Sequence, residues 1–566
     1  MLGARAMFGG GTDPCGVLMD HRGHTDSEIS GNGGSMDRHH LSGRAGFGVA
    51  AAGAAAVAAL GVRDFFQQRH SMLRNYPVIG HARFAMEALR PEIQQYFIER
   101  DDDGRPFDRT TRTMIYQRAK GISAEDAYGT EKDVTSAGYD HILHSINPLE
   151  PADVPPRVRL GGPDCTQPYD IALLNISSMS FGALSANAVV AMNYGARHGG
   201  FAQETGEGGL TKYHLEHGAD IIWEFGSGYF GCRTSDGHFD PDTFAEKAAR
   251  PEVKGIAVKL SQGAKPGVGG VLPASKVNAE IAAARDVPQG QDCVSPAAHS
   301  AFSTPVEMME FVARLRSLSG GKPVGLKLCV GDRREVLAMC KGMLETGVTP
   351  DWIMVDGSEG GTGAAPVEFE DNVGTPLTEG LVIVHNALVG TGLRNRVAIG
   401  CAGKISGGND IIRRIALGAD FCSSARAMMM ATGCIQAQRC NTNTCPSGVA
   451  TQDPRRSRAV VVADKGPRVM RYQQATVRSA MRMLASMGLT SFGELGPEHV
   501  LRRIDPARVM TYEELYVWLD EGELLASAKD PSWARDWEDC DAHHFRGARP
   551  SSALRRGYRR PSSPDS

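Results

Sequence analysis

Cys434, Cys440 and Cys445 lie in one short run that closes on Cys445-Pro446, with the spacing Cys-x5-Cys-x4-Cys. Thiolates are the ligands of iron–sulfur clusters, and a proline directly after a cluster cysteine recurs in such loops. Zinc is the chemical rival, because soft sulfur suits it as well. A structural zinc site wants four ligands, and no fourth Cys or His stands nearby in the sequence. Three thiolates without a fourth point to an odd-iron cluster such as 3Fe-4S. The plain alternative is three unrelated buried thiols, since cysteine is among the most buried residue types.

Three glycine- or serine-rich turns suit an anion. They are Gly360-Gly361-Thr362-Gly363, Gly403-Lys404-Ile405-Ser406-Gly407-Gly408 and Ser423-Ser424-Ala425-Arg426. Each follows a short apolar run, and such loops opening on helix N-termini expose amide donors and a positive dipole end that fit a phosphate. Ser178-Met179-Ser180-Phe181-Gly182-Ala183-Leu184-Ser185 is rich in small residues. Its backbone amides can approach a flat ring such as a flavin. Lys259 and Lys327 each sit inside an apolar run, where an ammonium is costly to bury unless it meets an anion.

The elements that must hold these residues follow from hydrophobic pattern. Short apolar runs alternate with helical segments from Ile171 onward, the signature of βα units. Strands are expected at Ile171–Ile176, Phe201–Glu204, Ile221–Phe225, Ile256–Leu260, Val324–Leu328, Trp352–Val355, Val397–Gly400 and Asp420–Ser423. Helices such as Ala186–Arg197, Asp332–Leu344 and Asp410–Leu417 lie between them. The fold class is therefore α/β, a (β/α)8 TIM barrel with an N-terminal helical extension and a C-terminal helical segment, with one long insertion from Gln262 to Ser303. Sites in such barrels sit at the C-terminal ends of the strands, which is where every motif above falls.

These motifs, with Thr205-Gly206-Glu207-Gly208-Gly209 and Gln262-Gly263-Ala264-Lys265-Pro266-Gly267, run in one order over roughly 170–454. Together they resemble the FMN-binding synthase domain of glutamate synthase in its stand-alone form, and the flank Arg69 to His81 is similar to stand-alone members too. The resemblance implies FMN and a 3Fe-4S cluster as cofactors, the cluster held by Cys434, Cys440 and Cys445. It implies flavin contacts from Ser178, Met179, Ser180, Gly182, Ala183, Glu224, Lys259, Lys327, Gly360, Gly361, Thr362 and Gly363. The flavin phosphate falls to Gly403, Lys404, Gly407, Ser424 and Arg426. Lys327 is expected near the flavin N1–O2 edge, where its charge stabilises reduced flavin. Gln262, Lys265 and Arg285 resemble the family's 2-oxoglutarate pocket, two carboxylates needing cationic partners. Glu207 matches a family acid near the ammonia route and is a candidate for proton handling. Lys265, Glu207 and Lys327 are the expected catalytic groups.

Several positions depart from the family pattern. Val268 and Val271 replace a glutamate and a glutamine in the substrate loop, Lys404 replaces one of two adjacent glycines, Glu224 replaces a glutamine and Asn441 a histidine. The reaction implied is reductive amination of 2-oxoglutarate to glutamate: ammonia condenses with the keto group, and 2-iminoglutarate takes a hydride from reduced flavin. The alternatives are an N-methylglutamate synthase-like or other imine-reducing enzyme, or a membrane-tethered flavin/Fe-S electron-transfer subunit. No G-x-G-x-x-G lies in a strand–turn–helix context, so NAD(P)H is not expected to bind here. No N-terminal cysteine nucleophile precedes the barrel. An external electron donor protein or reductase subunit, and a separate glutaminase subunit or free ammonia, are expected instead.

Composition sets the frame. At 566 residues the chain can bury a large core, and a formal net charge of −4 gives no reason to expect nucleic acid. The twelve cysteines are scattered without a disulfide pattern, which suits a reducing cytoplasm. The expected divisions are a disordered leader over 1–44, an apolar helix over 45–64, a helical region over 65–165 and the barrel with its cysteine loop over 166–460. A helical region over 461–545 and a disordered basic tail over 546–566 follow. Ala45 to Val62 is uncharged and alanine-rich. As a helix it would reach about 27 Å, slightly short of a bilayer's hydrocarbon core. A membrane anchor and an Ala-rich soluble helix both fit, and the apolar N-terminal segment of stand-alone relatives favours the anchor.

Overall fold

A computed structural model describes residues 38–123 and 125–545. The expected tail over 546–566 and the expected leader up to residue 37 lie outside the described residues. Two compact units are distinguished, residues 1–94 and 95–566.

The first unit is helical, with Arg38–Phe66, Ser71–Asn75 and Gly80–Ile93. The first helix begins at Arg38, inside the span expected to be leader. Its segment Gly48–Phe66 has a mean hydropathy of 1.5 and is almost wholly exposed, so it is long and apolar enough to cross a membrane. Pro91 lies inside Gly80–Ile93, and a π-turn over Gln94–Ile98 follows directly after it.

The second unit is built on a closed parallel barrel. Its strands are β1 (Leu174–Ile176), β2 (Gln203–Glu204), β3 (Ile221–Phe225), β4 (Val253–Lys259), β5 (Val324–Leu328), β6 (Trp352–Asp356), β7 (Ala398–Ala402) and β8 (Phe421–Ser424). Around it run α1 (Ala186–Gly199), α2 (Lys212–Leu215), α3 (Pro241–Ala248), α4 (Pro305–Leu318), α5 (Arg333–Thr346), α6 (Leu377–Gly390), α7 (Gly408–Ala416) and α8 (Arg426–Thr432). All eight strands fall where the apolar runs placed them, with one division. The run expected as a single strand, Ile171–Ile176, splits at Leu173. Tyr169–Ala172 pairs antiparallel with Arg157–Leu160, and only Leu174–Ile176 joins the barrel. Buried Asn175 fixes the break: its Nδ2 donates to Ala172 O (2.7 Å) and its Oδ1 accepts from the Ala202 N–H (3.0 Å).

Strand alternation sorts the barrel into two cores. Ile222, Ala257, Trp352, Met354, Ala402 and Phe421 pack inside it, closed off by Leu160 and Ile171 of the antiparallel hairpin. Ile221, Trp223, Val258, Leu326 and Val355 face the helices. Because side chains alternate with period two, the next inward positions after the apolar layer are Glu224, Lys259, Lys327 and Asp356. The fold thus places charge in one layer at the barrel mouth.

The insertion between β4 and α4 carries a short helix, Ala279–Arg285, and a two-stranded pair, Val271–Leu272 with Cys293–Val294. After the barrel, the helical region expected over 461–545 opens with a helix from Val462 to Ser486. Its later part is not a continuous helix. Val500–Asp505 and Arg508–Thr511 pair in a small sheet that also holds Asp140–Ile142. Single helical turns follow at Tyr512–Leu515 and Glu523–Ala526. Between them, buried Asn386 of α6 grips extended backbone, donating to Val517 O (2.7 Å) and accepting from the Leu519 N–H (2.9 Å). A tertiary hydrogen-bond partner overrides local helical preference there.

Candidate active site at the barrel mouth

Lys259 and Lys327 sit opposite one another in the β4–β5 register. Two ammonium groups side by side each need a counter-charge, and one comes from β3 and one from the loop after β2. Lys327 Nζ donates to Glu224 Oε2 at 3.0 Å, with both side chains almost wholly buried. Lys259 Nζ donates to Glu207 Oε1 at 2.8 Å and to Gln262 Oε1 at 2.5 Å. Burial works against the Lys327 charge, but Glu224, Asp356 and Glu204 around it outweigh that and hold the ammonium above its usual range. Burial would likewise raise Glu207. Lys259 beside it, with Arg285 and Lys265 further away, instead holds its carboxyl below the ordinary value.

Ser178 closes the first cluster. Its hydroxyl donates to Glu204 Oε2 at 2.6 Å and bonds Glu224 Oε2, and its N–H donates to Glu204 at 3.2 Å. Ser423 Oγ donates to Glu204 Oε1 at 2.7 Å. Burial raises the Glu204 carboxyl despite Lys327 nearby, with Glu224 adding to the rise. Asp356 is raised by burial as well, and its Oδ2 accepts from the Gly263 N–H at 3.0 Å. Glu204 and Asp356 were not among the expected site residues, and Ser423 was expected only within the turn after the last strand. Their positions at the C-terminal ends of β2, β8 and β6 were the available signal.

The second cluster belongs to the insertion. Glu207, Lys259, Gln262, Val268 and Gly270 line one cleft. A Cβ at Gly270 would stand 2.0 Å from Glu207 Oε1, and one at Gly226 would stand 2.6 Å from Oε2. Glycine is needed at both so that the carboxylate can lie between the loops. Gln262 Nε2 donates to Thr362 Oγ1 at 3.2 Å, which ties the substrate-type loop to the glycine turn after β6.

Lys265 and Arg285 are both buried, and among the described residues neither joins an ion pair. Lys265 Nζ donates only to Ala364 O at 2.9 Å. Burial, with Lys259 close by, pulls its ammonium down to about 8. Arg285, 4 % exposed, donates to Ser180 Oγ at 3.2 Å, Phe181 O at 3.4 Å and Cys293 Sγ at 3.7 Å. Its guanidinium lies 5.3 Å from the Phe230 ring centroid, and its Nε has no partner. Gly182 has φ +105° against Leu272 and Arg285, so the Ser178–Ser185 loop and the insertion pack directly together.

The glycine turns differ among themselves. Arg426 donates to Glu359 O at 2.7 Å, and a Cβ at Gly361 would meet its guanidinium at 2.7–2.9 Å. Lys404 is exposed and has φ +50°, in the left-handed region. Ser424 Oγ donates to Ile405 O at 2.7 Å. The Gly407 N–H, expected on a phosphate, donates to Asp410 Oδ2 at 2.9 Å, and so does the Ser406 N–H. The first turn of α7 therefore caps itself with its own carboxylate.

The three cysteines lie close enough to influence one another. Burial pushes Cys434 up to about 12, with Cys440 and Cys445 adding to the rise. Tyr116 Oη donates to Cys434 O at 2.9 Å, and Gln436 and Gln438 take left-handed backbone. Among the described residues no three Cys, His, Asp or Glu side chains stand at metal-binding geometry.

A family model described as the conserved region in glutamate synthase matches residues 163–490. The chain belongs to the glutamate synthase family. Glutamate synthase large subunit-like protein YerD of Bacillus subtilis (strain 168) is 36 % identical over 497 residues, 80 % of this chain and 94 % of that protein. The archaeal glutamate synthase (NADPH) of Archaeoglobus fulgidus is 34 % identical over 320 residues, 56 % of this chain and 59 % of that protein. The chain thus spans about three fifths of that relative. Among solved structures, mandelate oxidase with (S)-4-hydroxymandelic acid is 14 % identical with a TM-score of 0.41, covering 75 % of this chain and 97 % of that one. The protein is a glutamate synthase-type oxidoreductase on a TIM barrel. Glu224 is the partner of Lys327 here, so the charge it brings to the mouth is met by a counter-charge.

Proposed function

We propose that the protein carries out reductive amination of 2-oxoglutarate to glutamate through FMN, with electrons delivered by an external protein through a 3Fe-4S cluster. The observation that carries the substrate reading is the pair Lys265 and Arg285. Two buried cations without an ion-pair partner fit the two carboxylates of a keto diacid, because a buried charge is tolerated when a counter-charge arrives with the ligand. Bound at the mouth, FMN would supply hydride transfer to an imine carbon. The Ser178–Ala183 loop and the Gly360–Gly363 turn would hold the ring, and Lys404 and Arg426 with Gly403 and Ser424 would hold the phosphate. Gly407 drops out of that set because Asp410 takes its N–H. Lys327 would set a positive charge beside the ring, and Glu207, kept ionised, would attract an incoming ammonium ion. Cys434, Cys440 and Cys445 would ligate the cluster, a reading supported by three thiols in mutual electrostatic range.

A second reading keeps the same machinery with a bulkier amine. Val268 lines the cleft beside Glu207 and Lys259, where an alkyl group on the amine would find apolar contact. Anaerobic purification with flavin, iron and sulfide counts tests the cofactors. The expected protein is yellow-brown, with one flavin and three irons, and Cys440→Ser should lose the cluster spectrum. Colourless protein with stoichiometric zinc would refute the reading. Reoxidation of the reduced enzyme by 2-oxoglutarate, with ammonium or methylamine compared against glutamine, then tests the substrate. No reoxidation with any amine would leave only an electron-transfer role.

A further inference from the structure

Lys276 is a buried ammonium outside the clusters described above. It ends the 3-10 turn Ala274–Lys276 of the insertion and is only 2 % exposed. Nζ donates to Ala183 O at 2.7 Å, to Cys440 O at 3.2 Å and to Ala450 O at 3.3 Å. An ammonium has three donors, so all three are engaged, and all three acceptors are neutral carbonyls. Among the described residues it joins no ion pair. The acceptors come from two places: Ala183 from the loop after β1, and Cys440 and Ala450 from the cysteine loop and its return.

A buried charge without a counter-charge is costly, and an apolar chain of similar volume would fill the same space without that cost. Burial pulls the Lys276 ammonium down to about 8, the Cys440 and Cys445 thiols favour its charge, and Arg285 opposes it. The arrangement makes sense when the cysteines are thiolates bearing a redox group of net negative charge.

We infer that Lys276 is a positioning residue for that redox group: its ammonium faces the cysteine loop, and its hydrogen bonds fix that loop to the one after β1. This rests on the iron–sulfur reading given above. A fixed positive charge stabilises the more negative, reduced state and raises the reduction potential. The same side chain sets the spacing between the two loops that electrons would cross.

The test uses the full chain, purified anaerobically, with a redox titration of the cluster followed by electron paramagnetic resonance. Lys276→Gln keeps hydrogen-bond donors and removes the charge. At the wild-type midpoint, its ratio of oxidised to reduced cluster should rise about tenfold, equivalent to about 59 mV for one electron. Lys276→Arg keeps the charge and should hold the wild-type midpoint. An unchanged midpoint in Lys276→Gln would overturn the inference, since hydrogen bonding alone would then suffice. If Lys276→Gln loses its iron, Lys276→Arg decides. Retained iron and midpoint in that variant support the charge, and loss of iron in both variants reduces the residue to packing and overturns it. Wild-type protein without iron would remove the iron–sulfur reading itself, and this inference with it, before any variant is compared.

Discussion

Replacing Lys327 by methionine isolates the electrostatics of the barrel mouth. The ammonium sits 3.0 Å from Glu224 Oε2, and both side chains are almost wholly buried. Glu204, 4 % exposed, and Asp356 also feel its charge. At that separation and an effective dielectric near 20, the attraction is about 5 kcal/mol. Removing one partner of a buried pair typically costs about 3–5 kcal/mol, because the other charge stays buried. For a unit of this size, with an unfolding entropy of about 2 cal/mol/K per residue, that corresponds to a drop of about 3–5 °C in melting temperature. The loss must depend on pH. Without Lys327 the Glu204 and Asp356 carboxyls, already raised by burial, rise further above their unfolded values of about 4.3 and 3.9. A carboxyl raised on folding destabilises once pH exceeds its unfolded value, and the deficit is complete above its folded value. The deficit of Lys327→Met should therefore be small near pH 5 and grow towards pH 8. Thermal melts of flavin-depleted protein by circular dichroism across that range measure it, and adding Glu224→Gln should restore part of the loss. Equal melting of wild type and Lys327→Met at every pH would refute the buried pair as the organising contact.

Three further outcomes follow from the same geometry. Arg285→Ala should weaken 2-oxoglutarate by about 2–5 kcal/mol, tens- to thousands-fold in half-saturation for flavin reoxidation, and an unchanged value would mean the pocket lies elsewhere. Because burial brings Lys265 to about 8, dicarboxylate affinity should be full below that pH and fall above it, and Lys265→Met should flatten the profile. The sign for stability is opposite. A lysine whose folded value lies below its unfolded one of about 10.4 makes the ligand-free protein more stable as pH rises from 8 to 10.4, which melts of the same variant would test. Lys404→Gly should raise the melting temperature of flavin-free protein, since the left-handed backbone at φ +50° costs a non-glycine residue about 1–2 kcal/mol, while fluorescence titration should show weaker FMN binding.

The barrel was legible in the sequence because its cause is local. Apolar runs at regular spacing, followed by glycine turns and amphipathic helices, specify βα units wherever they occur. The same alternation placed Lys259 and Lys327 at strand ends. It did not say what they meet. Their partners come from elsewhere, Glu224 from β3 and Glu207 from the loop after β2, and only closure of the sheet brings them within hydrogen-bond reach. Lys265 and Arg285 were expected in the pocket through the family resemblance, but their lack of an ion-pair partner among the described residues is a property of the tertiary packing. Where a distant group bonds the backbone, local reading gave way: Asn175 divides the first strand, and Asn386 holds 517–519 extended. The Gly407 amide looked free in sequence, yet Asp410 one turn onward takes it once α7 forms. Lys276 carried no signal at all, an isolated lysine in an insertion. The tertiary fold alone sets its ammonium against carbonyls from two loops far apart in the chain, because buried donors take whichever acceptors packing brings near.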